Sequence, residues 1–207
     1  MNIVGSWLLR AALGLYIAHG AYTWWRDRPV TDPPGVLAPA EPLQQDLAGV
    51  APIVHGRWTL SPRARYDITA RILGRERYRF DGLARLVPVD LALGWGPMSD
   101  SRVLAPLEID QSGRFYWVHW SAAPPLPGVE LLRHSANLHA IPADRSIEAS
   151  LLRLREGEVV RLTGVLVDGK RDDGAFINTS LTREDTGAGA CEVMLVETLD
   201  RIAVPRP

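Results

Sequence analysis

The sequence predicts a mainly β domain with one inserted helix, an α+β plan of the small mixed or OB-like barrel kind, preceded by one transmembrane helix. Three observations predict it. Residues 65–80 alternate arginine with apolar side chains at period two, a helical period appears only once in the folded region, near residues 145–154, and the chain opens on a long apolar run. A length of 207 residues allows one domain with an appendage, and an apolar content of 46% excludes a disordered chain. The 23 basic residues nearly balance the 24 acidic ones, for a net charge of -1, so no global field recruits nucleic acid and none is expected as a partner. The single cysteine excludes an internal disulfide framework.

The opening run is IVGSWLLRAALGLYIAHGAYTWW, residues 3–25. As a helix it would reach about 34 Å, enough to span a bilayer, which makes residues 1–28 a membrane anchor and the membrane the expected partner of residues 3–25. Arg10 would have to snorkel toward one interface, while Trp24 and Trp25 suit the other. A cleaved signal peptide is the rival reading, with Ala18-His19-Gly20 as a small-x-small site. Arg10 on one side and Arg26 with Arg28 on the other leave the positive-inside count undecided. The signal-like start favours a single-pass inner-membrane protein with a periplasmic domain. Ala11, Gly14, Ala18 and Ala21 share a helical face that would let a membrane-protein partner approach, although small residues are common in such helices. Residues 29–54 then scatter Pro29, Pro33, Pro34, Pro39, Pro42 and Pro52 among small and polar side chains, a linker that could extend up to about 80 Å.

The β-rich domain is expected over residues 55–207. Its first strand carries Tyr66, Ile68, Ala70, Ile72, Tyr78 and Phe80 on one parity and Arg65, Arg71, Arg75, Arg77 and Arg79 on the other, with Gly74 bending it or opening a hairpin. Residues 57–85 hold eight arginines against three acids, either a basic face for an anionic partner or a solvated strand face with cross-strand ion pairs. Further strands are expected at 103–109, 114–120 and around 138–141. Asp144 should cap the one helix, whose apolar face is Ile147, Leu151 and Leu154 and which Gly157 ends. Strands at 159–167, about 175–181 and 191–198 complete the domain, with 168–173 as a polar turn.

Three stretches bear residues of chemical interest. Asp185-Thr186-Gly187-Ala188 fits the local pattern of an aspartic peptidase loop, but Arg183 and Glu184 stand where an apolar strand should deliver the aspartate, and no second such loop exists; a polar turn explains it better. The run RHSANLHAIPAD offers His134 and His139 to a metal, or Ser135 with a histidine to a hydrolase, yet on a strand the two histidines would face opposite ways and Asn137 suits a turn. LGWGPMSD places Trp95 between glycines in a tight loop. A single pocket would have to gather Trp95, Arg114, His134, Ser135, Asn137, His139, Arg183 and Asp185. No metal or cofactor is expected. Cys191 shares strand parity with Val193 and Leu195, which predicts a buried, unreactive core thiol, while Glu192 alternates away.

The phrases RYRFDGLARLVPVDLALGWGPMSD, RFYWVHW, HSANLHAIPAD and SLTREDTGAGACEVMLVETL, spread over most of residues 58–200, resemble a group of uncharacterised bacterial proteins with an N-terminal membrane segment. The resemblance implies a bacterial, membrane-anchored protein and carries no activity, substrate or functional residue. Two functions follow as expectations: a non-catalytic binding or assembly domain at the cell envelope, or a membrane-tethered peptidase or esterase using His134, Ser135 or His139, or Asp185.

Overall fold

The computed structural model describes residues 3–182 and 190–204, with side chains from residue 10 onward. Helix α1 (Ile3–Arg26) forms where the apolar run predicts a helix, and its described side chains are largely exposed. Among the described residues, however, no helix is long and apolar enough to cross a membrane. This corrects the expected transmembrane helix and, with it, the single-pass inner-membrane placement of a periplasmic domain. The physical reason lies in the composition. Arg10 breaks the run early, and Tyr16, His19, Gly20, Tyr22, Thr23, Trp24 and Trp25 dilute its second half with polar or only half-apolar groups.

The proline-rich segment does not stand away from the domain. Val30 N donates to Glu156 O at 2.7 Å, Gly35 N to Asp100 Oδ1 at 3.0 Å, and Leu37 and Ala38 N to Ser99 Oγ at 3.1 and 3.0 Å. Two short strands, β1 (Leu43–Asp46) and β2 (Ile53–His55), then pair antiparallel with β3 (Trp58–Arg77). Proline fixes the backbone without supplying a donor, so this stretch docks through the amides of its other residues rather than through a regular ladder.

Strand β3 runs for 20 residues and is followed by β4 (Val89–Gly94), a 3-10 turn at Gly96–Ser99, and α2 (Ser101–Leu104). Next come the hairpin β5 (Leu107–Ser112) and β6 (Phe115–Trp120), α3 (Gly128–Arg133), β7 (Ser135–Pro142) and α4 (Arg145–Leu151). The chain closes with β8 (Val159–Arg171), β9 (Phe176–Ile177) and β10 (Glu192–Ile202). The molecule is mainly β, as expected. Its main sheet follows the order β1-β3-β4-β7-β10-β8-β9, and β3 pairs with β8 as well as with β4, so the hydrogen-bonded path β3–β4–β7–β10–β8 returns to β3. Strand β10 runs parallel to β7 and antiparallel to β8.

Helix α4 starts where its cap signal lies, with Asp144 accepting from Ser146 N and Ile147 N at 2.7 and 2.9 Å, but it ends at Leu151, before the expected Gly157, and the fully buried Leu154 lies just beyond it. The register of β3 slips between Ile72 and Gly74, the bend expected of that glycine. Elsewhere the structure differs. Residues 103 and 104, the start of the strand expected at 103–109, belong to α2, and the strand begins at Leu107; α3 is an additional short helix, and β8 continues through the expected turn to Arg171.

Tyr66, Ile68, Leu91, Leu138, Leu162, Leu166 and Met194 meet α4 in the principal core. On the outer side of the sheet a second cluster joins Leu60, Val87, Ile141, Val165, Val193 and Leu195. A third, of Leu73, Ala92, Met98 and Leu131, lies under Ile109, Tyr116 and Val118 of the hairpin. Strands β4 and β7 and the first half of β10 are therefore covered on both faces, and β4 and β7 are buried along their whole length.

One close approach is decisive for the β8–β10 pairing. The register slips between Val196 and Thr198, and a Cβ on Gly164 would run into Leu195 O and crowd Glu197 N. Backbone cannot yield as a side-chain tip can, so Gly164→Ala should lower stability by on the order of 3 kcal/mol. Urea unfolding measures it, and an unchanged midpoint would contradict this register.

Candidate functional site

Period two along β7 sends Ser135, Asn137 and His139 to one face and Ala136, Leu138 and Ala140 to the principal core. On β4, Asp90 stands directly opposite His139. On the other flank, Glu192 pairs with Leu138 and Val193 with His139, so Cys191, one step earlier, arrives beside Asn137. The predicted parity of Cys191, Val193 and Leu195 is the observed one. The face, however, changes character along its length: Ile141, Val193 and Leu195 are apolar core, whereas Asp90, His139, Asn137 and Cys191 form a polar cluster at its upper end. Cys191 is consequently half-buried rather than a core thiol, and it is Glu192 that is buried.

Asp90 has no exposed surface. Its Oδ1 accepts from Arg114 Nη1 at 3.0 Å and lies 2.9 Å from His139 Nδ1. Asp90 Oδ2 has no hydrogen-bond partner among the described residues. Burial alone would lower the His139 pKa. Hydrogen bonding and charge from Asp90 and from the Cys191 thiol outweigh it and push the imidazole up to about 9. Asn137 Nδ2 donates to Cys191 Sγ at 3.5 Å and to Arg114 O at 2.9 Å, while its Oδ1 accepts from Gln111 Nε2 at 3.0 Å.

The β5–β6 hairpin covers this cluster. Arg114 sits at its tip with φ of 74°, the left-handed region that a non-glycine residue rarely adopts. Its backbone N donates to Tyr78 Oη at 2.9 Å, and its guanidinium stacks 3.6 Å from the Tyr78 ring centre and reaches Asp81 and Val87 O. Burial pushes the Tyr78 and Tyr116 hydroxyls up to about 12, so both remain protonated. Tyr116 Oη bonds Ser135 Oγ at 2.7 Å.

Of the residues expected to share a pocket, the structure brings together Arg114, Asn137 and His139, with Ser135 joined to them through the hairpin. Ser135 Oγ donates to Leu131 O at 2.7 Å and meets Tyr116 rather than a histidine, which removes the serine–histidine pairing. Trp95 and His134 belong to another corner: Trp95 is fully buried with Nε1 on Glu41 Oε2 at 3.1 Å, and His134 Nδ1 lies 2.8 Å from Glu130 O. Arg183 and Asp185 lie outside the described residues. Asp90 was not anticipated, although a lone acid inside the apolar run VDLALG was a signal that it must be paired. Among the described residues no group of three histidine, cysteine or carboxylate side chains could hold a metal ion.

No family model, curated protein or solved structure matches the chain.

The His139 shift has a sign. Its folded pKa, about 9, lies above the ordinary 6.5, so its contribution to stability is complete below about pH 6.5 and is lost as the pH rises through 9. Equilibrium unfolding of the protein should weaken across that window, and His139→Gln should flatten the slope. Equal slopes in the two proteins would remove the Asp90–His139 coupling.

Proposed function

We propose that the domain carries a thiol-dependent hydrolytic or acyl-transfer site, with Cys191 as nucleophile, His139 as its imidazolium partner and proton carrier, and Asp90 holding the ring. The observation that carries this reading is the side-by-side placement of these three residues by β4, β7 and β10 on one covered sheet face. A nucleophile, a base beside it and a third group on the base form the arrangement that covalent catalysis requires, and here the nucleophile is a cysteine rather than Ser135.

The chemistry follows from the roles. His139 is already protonated below about pH 9, so the attacking form is the Cys191 thiolate: Sγ adds to an acyl carbon and the carbonyl electron pair moves onto oxygen. Collapse of that tetrahedral species expels the leaving group, which takes the proton that His139 carries, and leaves a thioester beside a neutral imidazole. Water then attacks the thioester while His139 accepts its proton, so that acid is released, the thiolate is expelled and the imidazolium is restored. Asn137 Nδ2, already at the sulfur, is the nearby amide donor for the developing oxyanion. Arg114 Nη1 binds the same Asp90 oxygen at 3.0 Å and helps fix the carboxylate beside the ring.

A second reading has its own support. Asn137, Asp90 and Ser135 are each engaged by hairpin residues, so the cluster also clamps the hairpin to the sheet. A non-catalytic binding or assembly domain would need nothing more of it.

Alkylation of the native protein by iodoacetamide separates the two. The catalytic reading expects Cys191 to react faster than a free thiol of the same solution, His139→Gln to slow it by about 10²-fold, and Cys191→Ser to abolish labelling. A rate that is slow and indifferent to His139 leaves the clamp reading. Turnover of a p-nitrophenyl ester or thioester that survives Cys191→Ser would discard the proposed nucleophile.

A further inference from the structure

The arginine-rich stretch 57–85 divides into two groups in the structure. Most of its arginines are satisfied by the protein: Arg57 pairs with Asp172, Arg63 with Asp168 and Arg65 with Glu197. Arg71 donates to Ser99 O and Ser101 Oγ, while Arg75 and Arg77 cap the carbonyls that end α4, at Leu154 and Leu152. Arg79 and Arg85 are different. Both are exposed, and among the described residues neither has an ion pair or a side-chain hydrogen bond.

These two unengaged cations, with Arg77, line one cavity of about 570 Å³. Arg77 ends β3, Arg79 lies in the bend just beyond it, and Arg85 comes from the turn that leads into β4, so three separate stretches of backbone bring these cations to one cavity. Tyr78, Pro88 and Leu152 supply an aromatic and apolar wall, and Glu148 is the single acid. Three cations therefore face one lining carboxylate, and Asp27, the acid that reaches Arg77, is already bound to Arg26 and shared with Arg75. The crowding is felt at Arg77, whose pKa is lowered first by burial and then by the neighbouring charges of Arg26 and Arg79, against the opposing pull of Asp27. Its Nε is buried without an acceptor among the described residues.

We propose that this cavity is a binding site for the phosphate group of an organic phosphate, with Arg79 and Arg85 as its two ligating guanidiniums and Arg77 as the third charge behind them. A phosphate oxyanion matches the planar forks of paired arginines and supplies the negative charge that the cavity lacks. The Tyr78, Pro88 and Leu152 wall accommodates the organic part. The site is independent of the thiol chemistry of Cys191.

The test uses the full chain at constant ionic strength, with chloride replacing phosphate in the reference buffer. Inorganic phosphate and pyrophosphate should raise the Tm of the wild-type protein. In the exposed double variant Arg79→Gln/Arg85→Gln that rise should vanish, with affinity at least ten-fold weaker by titration calorimetry, while Arg57→Gln, a remote exposed arginine, keeps it. Sedimentation with phosphatidylcholine vesicles, with and without phosphatidate, identifies the source of the phosphate. A wild-type excess over the double variant only on phosphatidate vesicles assigns the site to a lipid headgroup. An excess with soluble phosphate assigns it to a free ligand. Equal responses of wild type and double variant in every arm would overturn the site, as would a response lost equally in Arg57→Gln, which would mark it as nonspecific charge.

Discussion

A strand of 20 residues has more backbone donors and acceptors than one neighbour can satisfy, and β3 meets that demand by bonding along both edges at once. Residues 58–71 pair with β8, residues 71–77 pair with β4, and the first half also receives β1 and β2. Two register slips, at Pro62–Ala64 and Ile72–Gly74, let one continuous strand turn between these partners. Everything else in the sheet is ordered by this choice. With β4 fixed on one edge and β8 on the other, β7 and β10 complete the path between them, and they meet in parallel.

The polar cluster inside this covered face is tolerable because its charges are paired. Asp90 would be costly to bury alone, and its position is stable because two cationic groups from different elements converge on it. The hairpin gains its place in the same way. Its inner side rests on apolar Leu73, Ala92 and Leu131, while Gln111, Arg114 and Tyr116 reach polar groups of β7 and β4. Apolar contact alone would hold the hairpin without fixing its register; the hydrogen bonds choose one position. The outward side leaves Phe115, Trp117 and Trp120 about two-fifths exposed.

Much of this architecture was legible in the chain. Period-two arginines marked β3, Gly74 marked its bend, and Asp144 marked the start of α4, because each is a local rule that the tertiary structure did not override. Strand β4 escaped because VDLALG, buried on both faces, shows no alternation. Proline content suggested a free linker for residues 29–54, but free amides between the prolines found acceptors on the domain. The length of the apolar run suggested a membrane span, and its diluted second half undid that reading. Within the site, strand parity placed Cys191, Val193 and Leu195 together correctly. It could not show that the same face turns polar where β4 contributes Asp90, since that depends on which strand lies next door. His134 and His139, close in sequence, were separated by the start of β7 at Ser135.

The parallel pairing of β7 with β10 also sets a timetable. Asp90, His139 and Cys191 are spaced roughly fifty residues apart along the chain, and of the three the sulfur is synthesised last. Asp90 and His139 can meet through the antiparallel β4–β7 ladder before β10 exists, whereas the thiol follows β8 in the chain. A nascent or truncated chain thus contains the charged half of the cluster without its sulfur. The cluster becomes whole only when the final strand docks, so its presence reports that the entire sheet has been completed.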